Sequence, residues 1–116
     1  MSLEQLLNII ACILLVLFGL YSLWKPRPSA AIAHLTPDNA NGVAEIRIVF
    51  GGMSVMMGIA PLVLNQAAAY QVIGLIFLGV FVSRLLATVL DRPQFTQVFL
   101  VSAAFELVVG LILFLS

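Results

Sequence analysis

The stretch AAAYQVIGLIFLGVFVSRLLATVL, residues 67–90, carries a single charge, Arg84. As a helix rising about 1.5 Å per residue it is long enough to cross a hydrocarbon core of about 30 Å. Short of a closed barrel, only a helix satisfies every backbone group over such a run in lipid. Similar stretches lie on both sides of it. Upstream, beyond the short Asn65–Gln66 turn, a second apolar run covers residues 43–64, with Pro61 placed to kink its last turn or mark its exit from the membrane. Downstream, Asp91, Arg92 and Pro93 make a tight turn into a further run over 95–115. The first run, 6–24, is uncharged. It ends at Tyr21 and Trp24, which suit a membrane interface, and then meets Lys25, Pro26, Arg27 and Pro28. The prolines are expected to stop that helix. The connection 25–42 is polar, and within it Thr36, Pro37 and Asp38 read as a helix start, with Thr36 as N-cap and Pro37 in the first helical position.

Composition points the same way. Of 116 residues, 63% are hydrophobic and 9% charged, against roughly 25% charged in soluble domains. Mean hydropathy is +1.20. Such a chain has too few polar groups to cover a water-facing surface, so its expected partner is the lipid bilayer. The expected fold is all-α: an integral membrane four-helix bundle forming one membrane domain over 1–116. A formal net charge of zero gives no case for nucleic-acid binding. The lone cysteine, Cys12, has no partner for an internal disulfide and reads as a small packing residue. Ala31, Ile32 and Ala33 resemble a signal-peptide cleavage site. No basic residue precedes the first apolar run, however, and charges and prolines separate it from that site, so the run reads as a retained span.

Four spans put both termini on one side. Lys25, Arg27, Arg47, Arg84 and Arg92 all lie on or near the opposite side, while the termini and the Asn65–Gln66 turn carry no basic side chain. The positive-inside rule then makes the basic side cytoplasmic and both termini non-cytoplasmic.

Four charges sit in or just inside the apolar helices: Glu45, Arg47, Arg84 and Glu106. A charge in hydrocarbon costs several kcal/mol unless paired, hydrated or neutralised. By helical rise, Arg47 and Arg84 lie about level, each roughly 5 Å inside the cytoplasmic face, and Glu106 lies near the midplane. A buried network of two glutamates and two arginines is the simplest electrostatic solution, because a guanidinium fork bridges carboxylates well. The alternative is that Arg47 and Arg84 snorkel to the interface, which leaves the deep Glu106 unexplained. Helix faces support the network. Arg47, Gly51, Ser54 and Gly58 recur at helical spacing, as do Ser102, Ala103, Glu106 and Gly110, and small residues permit close helix approach in lipid. Gly51, Ser54, Gly58, Ser102 and Gly110 are therefore the expected packing positions.

Other residues point to no chemistry. His34 is the single histidine and lies in the polar connection, which excludes bis-histidine haem ligation and leaves metal sites poorly supplied. Met53, Met56 and Met57 read as packing. No serine–histidine–aspartate set, phosphate loop or paired-cysteine motif is present. No metal, cofactor or catalytic residue is expected.

The segment Ala44, Glu45, Ile46, Arg47, Ile48, Val49, Phe50, Gly51, Gly52 resembles the hallmark of an uncharacterised bacterial family of small four-helix membrane proteins, remotely similar to DoxX-like proteins. Arg84 followed by an apolar run to Asp91, and Glu106–Leu107 in the last span, also fit that family. Phe50 stands where an aromatic residue, often tyrosine, is expected. The resemblance implies the four-helix bundle and the importance of Glu45, Arg47, Arg84 and Glu106, and it brings no reaction, cofactor or substrate. The expected function is thus that of a non-enzymatic protein of the bacterial inner membrane, an accessory or assembly subunit of a membrane complex or a small homo-oligomer. The alternative is proton or small-solute transfer through Glu106 with Arg84 or Arg47.

Overall fold

A computed structural model describes residues 2–116. It contains helices α1 (Leu3–Trp24), α2 (Pro26–Ile32), α3 (Ala40–Leu64), α4 (Ala67–Asp91) and α5 (Gln97–Phe114). All but α2 are long and apolar enough to cross a membrane.

The helix ends follow from local chemistry. Ser2 and Gln5 form a reciprocal capping box at α1, each side chain accepting from the other's backbone N–H at 3.1 Å. Helix α3 is capped by Asn39, whose side chain accepts from the Gly42 N–H at 2.9 Å. The expected start at Thr36 and Pro37 is therefore displaced by three residues. Pro37 instead lies against Gly42, with its Cβ 3.2 Å from where a Gly42 side chain would begin, so the proline packs beside the first turn of the helix it was expected to open. Thr96 caps α5 by accepting from the Phe99 N–H at 3.2 Å. Asn65 and Arg92 end α3 and α4 in the left-handed conformation, φ 52° and 48°.

Two features differ from the sequence reading. The connection 25–42 holds a helix, α2. Pro26 does not merely end α1; it occupies the first position of α2, where its missing N–H is harmless. The helix closes in a Schellman motif: Leu35 N–H donates to the Ala30 carbonyl, His34 N–H to the Ala31 carbonyl, and His34 takes φ 61°. Within α3, residues Arg47–Met53 form π-helical turns, which hold an extra residue per turn and are often found at functional sites.

The chain packs as two compact units, Ile9–Leu64 and the remainder, which comprises the residues up to Asn8 together with Asn65–Ser116. In the first unit α1 and α3 run antiparallel in close register. A Cβ on Gly19 would lie 2.5 Å from Val55 Cγ2, one on Gly51 2.7 Å from Leu23 Cγ, and one on Gly58 2.7 Å from Val16 Cγ2. Ser54 Oγ donates to the Leu15 carbonyl at 2.9 Å. Gly51, Ser54 and Gly58 are all buried, so this small-residue stripe is the contact face of α3. Phe18 and Phe50 flank it, ring centroids 6.3 Å apart. Pro61 is buried in the last turn of α3, and the helix runs on to Leu64.

In the second unit α4 and α5 form an antiparallel hairpin. Ile73 and Gly74 of α4 are buried, as are Glu106, Val109, Gly110 and Leu113 of α5. Gly74 meets the backbone of Gly110 and Phe114, and Gly110 meets Leu78. Most large apolar side chains of the four long helices stay exposed, among them Val63, Val82, Val89 and Leu100, as a lipid-facing surface requires.

Candidate functional site: the Arg84–Glu106 pair

Arg84 lies on the face of α4 that packs against α5, and Glu106 lies opposite it across the hairpin. The guanidinium engages both carboxylate oxygens: Nε donates to Oε2 at 2.8 Å and Nη2 to Oε1 at 2.5 Å. This two-point geometry is the strong form of an arginine–carboxylate contact. Arg84 Cζ lies over the ring of Phe99, 4.9 Å from its centroid, adding a cation–π contact. Thr88, one turn on, returns its hydroxyl to the Arg84 carbonyl at 2.9 Å. Phe77 and Phe105 pack edge to face with centroids 6.2 Å apart. Glu106 is buried and Arg84 half-buried.

It is the one salt bridge among the described residues. The expected four-charge network is thus present as one pair within this unit. Glu45 and Arg47 belong to the other unit, and both are exposed rather than buried. Arg47 Nη1 donates to the backbone carbonyl of Leu23, near the end of α1, where carbonyls lack intrahelical donors. Its positive charge also complements that end of the helix dipole. Glu45, exposed in the second turn of α3, makes no hydrogen bond or ion pair among the described residues.

The packing positions divide in a similar way. Gly51, Ser54, Gly58 and Gly110 are buried in helix contacts, while Ser102 is half-buried one turn from Glu106. Gly79 meets nothing within 4 Å and faces outward. The residue that sequence reasoning missed is Phe99. It stands seven positions before Glu106, two turns along the same face, and that spacing was the available signal.

No group of three or more histidine, cysteine, aspartate or glutamate side chains suited to a metal occurs among the described residues. The geometry holds a charged pair within the α4–α5 helix contact, with Glu106 the more deeply buried partner.

Four helices long and apolar enough to cross a membrane make this a small helical protein of the multi-pass membrane type. The chain belongs to the family described as "Domain of unknown function (DUF4345)", whose model matches residues 3–116. No curated protein and no solved structure matches it.

Proposed function

We propose that this is a non-enzymatic protein of the bacterial inner membrane. In this reading its helices form a four-helix bundle with both termini on the non-cytoplasmic side. It acts as an accessory or assembly subunit of a membrane complex, or as a small homo-oligomer. The observation that carries the reading is the two-point Arg84–Glu106 contact. Both carboxylate oxygens are engaged and the ring of Phe99 covers the cation, an arrangement suited to fixing helix packing rather than to turnover. The remote likeness to DoxX-like proteins adds only an analogy of fold.

The test is recovery of the tagged full-length protein from native membranes under mild detergent. The expected result is a defined assembly, with itself or with another membrane protein. Repeated recovery as a lone monomer would count against the proposal.

Orientation has its own test. Alkaline phosphatase fused to the C-terminus is expected to be active and a green fluorescent protein fusion dark, because the basic residues cluster at the other ends of the spans. The reverse pattern would invert the assignment.

One observation favours proton or small-solute transfer as a second reading. The Arg84 side chain is 25% exposed beside a Glu106 side chain only 9% exposed, so the pair has one open edge. Flux in proteoliposomes that Glu106→Gln abolishes, with the protein still folded, would replace the accessory reading with this one.

A further inference from the structure

The elbow where α1 gives way to α2 gathers features that the ion pair does not use. Helix α1 is 22 residues long, about 33 Å at the helical rise, so its last residue reaches the membrane boundary. That residue is Trp24, the one tryptophan of the chain, and it is 78% exposed. Lys25 Nζ lies 5.4 Å from the centre of its ring. Arg27 follows on α2 and donates from Nη1 to the Pro37 carbonyl at 3.2 Å. Arg47 reaches the Leu23 carbonyl, one residue from Trp24. Three cations therefore surround the elbow, and none of them pairs with a carboxylate among the described residues.

The orientation of α2 is fixed from its inner side. Pro26, Ser29 and Ala30 are buried. Ser22 spends its proton on the Phe18 carbonyl at 3.0 Å, so Ser29 is the donor in the 2.5 Å contact between the two hydroxyls. With that face tied to α1, the other carries Arg27, and the apolar Ile32 and Leu35 remain about half exposed at its far end.

We propose that this elbow is a docking surface for anionic phospholipid headgroups. Lys25, Arg27 and Arg47 face the phosphate layer, Trp24 sits at the glycerol level, and Ile32 and Leu35 dip into the acyl boundary. Helix α2 then lies in the plane of the interface instead of forming part of a solvated loop. Charge complementarity selects the occupant: unneutralised cations beside an exposed tryptophan at the end of a span match an anionic leaflet. The inference rests on α1 crossing the bilayer.

Trp24 supplies the readout. The full chain is reconstituted in phosphatidylcholine vesicles in which either brominated phosphatidylglycerol or brominated phosphatidylcholine is the quencher. Brominated phosphatidylglycerol is expected to quench Trp24 beyond its bulk fraction, and the enrichment is expected to fall with added salt. Lys25→Gln and Arg27→Gln each lower it about fivefold, while the charge-conserving Lys25→Arg with Arg27→Lys retains it. All four are substitutions at exposed positions that hold no buried contact. Equal quenching by the two lipids in the native chain would overturn the proposal, as would an enrichment that ignores the charge-removing variants. Absence of quenching by either lipid would instead overturn the membrane placement of α1, so the two failures are distinct.

Discussion

Glu106→Ala is expected to destabilise the protein by about 3–5 kcal/mol, the range for removing one member of a buried ion pair. The loss is mostly the cost of what remains. Arg84 keeps its place on the inner face of α4 and loses both of its carboxylate contacts, and Phe99 covers the cation without neutralising it. Arg84→Ala is expected to be comparably harmful, since it strands a buried carboxylate. Replacing both by leucine removes both desolvation costs and is expected to recover most of the stability, because an apolar pair of similar volume often substitutes for a buried salt bridge without loss. The check is a double-mutant cycle on unfolding midpoints in mixed micelles, closed with Glu106→Leu and Arg84→Leu as its single variants. A strongly non-additive cycle fits a pair that fixes packing. Additive single effects would show that the residues do not depend on each other, and the structural role would fall.

The pair was partly legible in the sequence. Glu106 and Arg84 stand out because a charge in an apolar span demands an explanation, and helical rise alone puts Glu106 near the middle of its span and Arg84 toward the end of its own. The choice among partners was not legible. Four charges of balanced sign suggest a closed network, whereas in the folded chain Arg47 is satisfied by a backbone carbonyl, that of Leu23. Backbone acceptors are present at every helix end and leave no trace in residue identity. The small-residue stripe of α3 was readable for the opposite reason: Gly51, Ser54 and Gly58 are chosen for lack of bulk, and lack of bulk is visible in a sequence.

Helix α2 and the π-helical turns escaped for other physical reasons. Seven residues with two prolines give no hydrophobic period to detect, and α2 is held by its caps and by the contact between Ser22 and Ser29. Isolated helices of that length are marginal, so its existence depends on the packed face rather than on propensity. The π segment Arg47–Met53 changes the count of residues per turn without changing composition. The helix starts were legible only in part: the capping residues Ser2, Asn39 and Thr96 are polar side chains near the edges of apolar runs, but Thr36 offers the same chemistry three residues before the cap that Asn39 provides.

The steepest packing prediction concerns three glycines of the α4–α5 hairpin. Gly74→Ala places a methyl group against the Phe114 backbone nitrogen and 2.8 Å from the Gly110 carbonyl oxygen. Backbone atoms in a helix do not swing aside, so α4 and α5 must part locally. Overpacking costs about 1–3 kcal/mol and occasionally more, and this substitution is expected at or above the top of that range. Gly110→Ala is expected to be milder. Its methyl meets Leu78 Cδ2 at 2.8 Å and Cγ at 2.9 Å, side-chain atoms that a χ1 change moves, while the nearest backbone atom, the Leu78 nitrogen, stands at 3.2 Å. Gly79→Ala meets nothing within 4 Å and removes a helix-interior glycine, a change worth up to about 1 kcal/mol in favour of the helix. The three substitutions add the same methyl group to the same hairpin, so differences in lipophilicity cancel. Unfolding midpoints should fall in the order Gly79→Ala, Gly110→Ala, Gly74→Ala, from most to least stable. If Gly74→Ala proved as stable as Gly79→Ala, the close approach of α4 and α5 at Gly74 would be wrong. The register that sets Arg84 opposite Glu106 would then be in question too, because both contacts follow from the same antiparallel alignment.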